Sequence, residues 1–229
     1  MLLRTLIRKD PVEKARKSCK RKFLHYFPKG YQGRKYIDWE RSYKLNAHIR
    51  FQEEFNETDY KKLLDQQAYE LIASNIVRIE SKTNLLFSFE KMALRDAVKS
   101  PEGAKAFSIG LFDYVYGKDP LQDRFEKFVG VVGELPRKQT RVLTWPLVTV
   151  FGFLANPSEH IFLKPRVTQS AAVKYKFDFD YKSKPGWKTY QSLLNFADQV
   201  WKDTKELRPK DFIDIQSFIW VLGSDEYPD

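Results

Sequence analysis

The segment from Lys14 to Tyr36, KARKSCKRKFLHYFPKGYQGRKY, holds nine Lys or Arg, five aromatics and no Asp or Glu. Cations neutralise phosphates and tyrosine faces stack on unpaired bases, the combination that single-strand nucleic-acid sites use. The candidate phosphate contacts are Lys17, Lys20, Arg21, Lys29, Arg34 and Lys35, and the candidate stacking rings are Tyr31 and Tyr36. Lys164 and Arg166 form a second, smaller basic patch. Gly30 and Gly33 allow backbone N–H groups close to a phosphate, but the stretch lacks the G-x-x-x-x-G-K-[ST] spacing of a P-loop.

Other chemistries find fewer residues. Asp211 and Asp214, three apart in RPKDFIDIQSFIW, share a helix face near its start, where the helix dipole favours negative charge. Asp214 is also a candidate acid or base if it is partly buried and paired with a basic residue from elsewhere, as in helical DNA glycosylases. Those enzymes place a Gly-x-Gly turn between helices, whereas LPRKQT at 135–140 offers a proline. Glu80-Ser81-Lys82 matches the E-x-K of a metal-dependent nuclease but falls at a helix end with no sheet nearby. Asp178 and Asp180 in FDFDY make a polar edge over Phe177, Phe179 and Tyr181. His25, His48 and His160 are scattered and Cys19 is the single cysteine, so no metal centre, disulfide or cofactor is expected.

These residues need elements to hold them. Asp10-Pro11, Ser100-Pro101 and Asp119-Pro120 each set a capping side chain before a proline suited to the first helical position. A helix from Pro11 puts Val12, Ala15, Cys19, Phe23 and Tyr26 on one side, so Cys19 belongs to an apolar stripe rather than to a nucleophilic site. With Thr58 as cap, Tyr60, Leu63, Leu64, Ala68, Leu71, Ile72, Ile76 and Ile79 form one stripe and predict one helix. The spacing also predicts helices over Ile37–Phe55, Ser88–Lys99, Pro101–Tyr116, Trp187–Leu207 and Pro209–Leu222. TRVLTWPLVTVFGFLA, at 140–155, is apolar nearly all round and belongs at the centre, kinked by Pro146 or split there into two short helices. The expected architecture is an all-α, multi-helix bundle of about eight to ten helices. Its regions are a basic N-terminal helical part, 1–56, and a neutral, aromatic-rich body, 57–229.

The charge is concentrated at one end. Residues 1–50 carry 15 Lys or Arg against four acids, while the rest carries 25 against 26, so the net +10 is entirely N-terminal. Such an imbalance favours a polyanionic partner. The longest nearly uncharged run, 142–158, contains two prolines and falls short of the ~20 residues of a membrane span. The opening MLLRTLI is too short for a signal-peptide core, and a lone cysteine fits a reducing compartment, so a cytoplasmic protein is expected.

Over residues 144–221, TWPLVTVFGFLANPSEHIFLKP and KDFIDIQSFIWV resemble bacterial all-helical proteins of mobile-element and restriction or defence neighbourhoods. The resemblance implies a bacterial cytoplasmic protein concerned with nucleic acid, and carries no activity or catalytic residue with it. The function expected is binding of DNA or RNA through the basic N-terminal region without catalysis. The alternatives are a nucleic-acid-modifying enzyme using Asp214 and a scaffold docking a partner protein through the basic end.

Overall fold

The computed structural model describes residues 10–136 and 142–229. Arg4, Arg8, Lys9 and the MLLRTLI opening lie outside the described residues, as do most of the LPRKQT segment and the first residues of the 140–155 apolar run. Helices make up the chain, eleven of them longer than a single turn, with no strand among the described residues.

Helix α1 (Pro11–Tyr26) starts where the sequence predicts. The Asp10 carboxylate accepts the Val12 N–H at 2.9 Å, and Pro11 fills the position where no N–H is needed. A 3-10 turn (Gly30–Gln32) ends at the extended Gly33, after which the short α2 (Arg34–Tyr36) and a π turn (Ile37–Arg41) lead without a break into α3 (Ser42–Phe55). The π turn widens the helix and brings Glu40 and Arg41 to its buried side.

The single helix predicted over Tyr60–Ile79 is two, α4 (Glu57–Asp65) and α5 (Tyr69–Ser81). Asn56, not Thr58, caps the first, accepting the Asp59 N–H at 3.1 Å. The chain reverses at Gln67, held left-handed at φ 56°, and this break lets both halves pack on α7 (Pro101–Tyr116), which an unbroken helix could not do. In sequence, α6 (Ser88–Ala97) follows α5, precedes α7 and packs on α5. The Ser100 cap of α7 is as predicted, accepting from the Gly103 N–H at 3.0 Å. Asp119 does not cap α8 (Leu121–Glu134), since Pro120 takes the cap position. Its carboxylate meets Lys127 at 2.5 Å instead, and its carbonyl accepts from Arg124.

Pro146 does not kink α9 (Trp145–Ala155); it starts it. Thr144 is the cap and Pro146 lies in the first turn, where a proline removes no helical hydrogen bond. All eleven residues of α9 are buried, and α3, α5, α7 and α8 pack around it. The carbonyls at its buried C-terminal end find donors on α3, from His48 Nδ1 to Leu154 O at 2.8 Å and from Gln52 to Ala155 O at 2.6 Å.

The remaining helices are α10 (Pro165–Tyr175), α11 (Trp187–Asp203) and α12 (Phe212–Gly223), with FDFDY outside any helix or strand before α11. Asp211, not Pro209, starts α12, accepting the Ile213 N–H at 3.0 Å. Helices α10 and α12 cross so closely that a Cβ on Gly223 would sit 2.0 Å from Val167 O. Helix α1 lies on this pair, so the basic N-terminal segment packs on the C-terminal end of the chain, and Phe23 through Tyr227 share one core. No helix among the described residues is long and apolar enough to cross a membrane.

Candidate nucleic-acid interface

Helix α1 divides its residues by face. Cys19 and Phe23 are buried, while Lys14, Lys17, Ser18, Arg21 and His25 are exposed at spacings of three and four, a stripe along the outer side. Lys17 pairs with Glu13 one turn away. Lys14 and Arg21 have no carboxylate partner among the described residues, and neither do Lys29 and Lys35 beyond the helix end.

The aromatics of PKGYQGRKY turn inward. Tyr31 and Tyr36 are 1% and 0% exposed, packed on Phe23 at 5.0 and 6.0 Å and on each other at 5.3 Å, with Phe27 and Phe218 completing the cluster. Buried in this way they present no open face to a base, contrary to the stacking role expected from the sequence, and they anchor the loop. Each such ring pair contributes about 0.5–1.5 kcal/mol beyond its burial, which outweighs what an open loop gains by leaving them to solvent.

The ring that does face solvent is Trp39, 58% exposed on the π turn. The Lys35 ammonium stands 4.4 Å over its ring and 5.9 Å from the ring of Phe27 at the end of α1, so Lys35 links the indole to the helix carrying the basic stripe. Sequence reasoning passes over Trp39 because it lies outside the acid-free stretch, between Asp38 and Glu40. Arg34, almost fully exposed, reaches Asp38 at 3.5 Å.

Much of the N-terminal charge is already neutralised by the other end of the chain. Arg16 meets Asp203 at 3.3 Å, Lys20 pairs with Glu206, Lys22 meets Asp229 at 2.6 Å, and Arg41 binds both Asp211 and Asp214. Lys20 is therefore partnered rather than a free phosphate contact. The charge excess that looks in the sequence like a binding surface is in good part a seam between the two ends of the fold.

Asp214 lies inside this seam, 0% exposed. Its Oδ1 accepts from the Tyr36 hydroxyl at 2.6 Å and from Arg41 Nη1 at 2.7 Å, and its Oδ2 accepts the Lys210 N–H at 2.8 Å. Arg41 also grips Asp211 with two nitrogens, at 2.9 and 2.6 Å. Burial raises the Asp214 pKa, opposed by the Tyr36 hydroxyl and Arg41. The basic partner anticipated from the sequence is Arg41. With both oxygens enclosed and satisfied, this carboxylate ties α12 to the π turn and meets no solvent-borne substrate. A second buried pair continues the seam: Lys44 donates to Glu40 at 3.0 Å and to Ser217 at 2.8 Å, and Tyr227 donates to Glu40 at 2.6 Å.

Lys164 and Arg166 do not make a surface patch. Lys164 is 7% exposed, its ammonium donating to Leu85 O at 2.9 Å, 3.5 Å from Glu90 and 3.5 Å over the Phe87 ring. Burial lowers its pKa, with Glu90 opposing. Arg166 is exposed at the rim of the same cleft, about 890 Å³ in volume and walled by Phe87, Trp145, Tyr181 and Trp220. Lys164 lies ten residues from Lys174 along α10, about 15 Å, so the two basic candidates belong to different parts of the surface from α1.

Among the other candidates, Cys19 is buried, donates to Lys174 O at 3.4 Å and has its thiol pushed up to about 11 by burial, with no nucleophilic character. Glu80 is buried at the end of α5 beside Thr83 and Lys91, not beside a second acid on a strand. His48 serves α9 as described, and no three His, Cys, Asp or Glu among the described residues converge on a common point. Compared with known proteins, the chain matches no protein-family model, no curated protein and no solved structure.

Proposed function

We propose that this protein binds single-stranded nucleic acid, without catalysis of its own, on the face formed by the outer side of α1 and the turn that follows it. Lys14, Arg21, Lys29 and Lys35 neutralise phosphates, with Lys17 and Arg34 held to Glu13 and Asp38 at the edge of that face, and Trp39 receives a base. The observation that carries this reading is the Trp39 indole, more than half exposed with Lys35 4.4 Å over one face. A large exposed aromatic beside unpartnered cations is what a sequence-tolerant strand site requires. Tyr31 and Tyr36, which carry the stacking in the sequence reading, support the site from below. The resemblance over residues 144–221 implies a bacterial mobile-element or defence setting for such binding.

The test is titration with a single-stranded oligonucleotide of mixed sequence. Trp39→Ala is expected to lose about 1–3 kcal/mol of binding, the worth of one stacked base, while melting within about 0.5 kcal/mol of wild type as an exposed position should. Wild-type affinity in the folded Trp39→Ala variant refutes the reading.

A further inference from the structure

On the flank of α1 the chain forms a groove of about 790 Å³ against the C-terminal half of α10, with Arg21, Lys22, His25, Tyr26 and Lys174 in its walls. Its only acid is Asp229. Lys22 and Lys174 belong to different helices yet converge on that one side chain: Lys22 donates to Asp229 Oδ1 at 2.6 Å, and Lys174 donates to Oδ1 at 2.9 Å and Oδ2 at 2.8 Å. The segment bringing Asp229 there is fixed just before it. Tyr227 is 5% exposed, its ring edge-on to Tyr26 at 4.9 Å, and the Tyr26 hydroxyl donates to Pro228 O at 2.5 Å. Pro228 and Asp229 themselves are exposed.

We infer that the Lys22–Lys174 clamp, with Arg21 and His25 beside it, is a phosphate site that the Asp229 carboxylate fills in phosphate's absence. A carboxylate and a phosphate present the same pair of anionic oxygens to two ammonium groups. The carboxylate brings one negative charge to two lysines, whereas a phosphate dianion matches the lysine pair and keeps oxygens free for Arg21 on the groove wall. Tyr227 retains the strap while Asp229 leaves: the Asp229 side chain is 69% exposed, against 12% for Lys22, and a pair open to water on its carboxylate side is weak enough to be displaced. The inference rests on the nucleic-acid reading only for where the phosphate comes from, either a strand backbone or a free phosphate ester.

The experiment measures inorganic phosphate binding by calorimetry at constant ionic strength for wild type, Asp229→Asn, and Asp229→Asn combined with Lys22→Ala or Lys174→Ala. Removing the competing carboxylate is expected to tighten phosphate binding about two- to fivefold, the range an exposed pair contributes, and either lysine substitution is expected to abolish it. Equal phosphate affinity in Asp229→Asn and wild type, or binding that survives both lysine substitutions, overturns the inference. A parallel oligonucleotide titration separates the sources. A gain in Asp229→Asn for both ligands identifies a strand backbone, and a gain for phosphate alone identifies a free ester; both outcomes support the site. Loss of oligonucleotide binding in Trp39→Ala bears on the strand reading and not on this site.

Discussion

His160 is a buried group whose charged neighbour, Glu159 Oε2, stands 3.5 Å from Nε2, too far or too poorly aligned for a hydrogen bond. It is 0% exposed, neither ring nitrogen is hydrogen-bonded, and its ring sits 4.5 Å from that of Tyr114. Burial first and Arg124 second push its pKa down to about 3 from 6.5. The unfolded chain thus takes up a proton below pH 6.5 that the folded chain refuses until about pH 3, so stability falls as pH drops through this window. At about 1.4 kcal/mol per pH unit the loss between pH 6.5 and 5 is about 2 kcal/mol. His160→Leu removes both the unsatisfied nitrogens and the titration. It is expected to melt above wild type at pH 7, with a wider gap at pH 5; a gap that does not grow on acidification contradicts this account of His160. The seam residues behave in the opposite sense. Arg41→Met leaves Asp214 buried without its cation and is expected to cost about 3–5 kcal/mol in urea unfolding, whereas loss of an exposed pair costs far less.

At the level of elements, Gln67 marks where local preference was overruled. A non-glycine residue at φ 56° is strained, and here the strain turns α4 back so that both it and α5 reach α7. Gln67→Gly is expected to raise stability by about 1 kcal/mol in a thermal melt. This break was not legible in the sequence, since the apolar stripe continues across it and only packing on α7 selects two helices. What was legible were the starts that depend on two or three adjacent residues, Asp10-Pro11 and Ser100-Pro101. Thr144-Trp145-Pro146 carries the same kind of start signal, but Val142 and Leu143 before it and the long apolar run after it hid it and made Pro146 look like a kink. The site divides likewise. The outer stripe of α1 follows from helical spacing, because Cys19 and Phe23 fix the inner face. The inward turn of Tyr31 and Tyr36 depends on Phe23, Phe27 and Phe218, of which the last is remote in sequence. Trp39 could not be placed because the π turn breaks the 3.6-residue register on which such a reading depends.

Across the whole molecule, the two ends of the chain are held together by charge and by aromatic packing at once. The N-terminal excess meets Asp203, Glu206, Asp211, Asp214 and Asp229, so fewer cations are available to a partner than the composition suggests. Glu206→Gln frees Lys20 without touching the core. It is expected to leave stability within about 0.5 kcal/mol and to strengthen oligonucleotide binding measurably at low salt. The central claim, a strand held by the outer face of α1 and its turn, is tested most directly by the salt dependence of that binding, followed by fluorescence anisotropy of a labelled single-stranded oligonucleotide. On that face Lys14, Arg21, Lys29 and Lys35 have no carboxylate partner among the described residues, and four phosphates neutralised on a single strand give a slope of about −3 in log affinity against log salt. Arg21→Glu with Lys35→Glu is expected to bring that slope near −1.5, in proportion to the two contacts removed. A wild-type slope near zero, or one unchanged by the double reversal, would contradict the account.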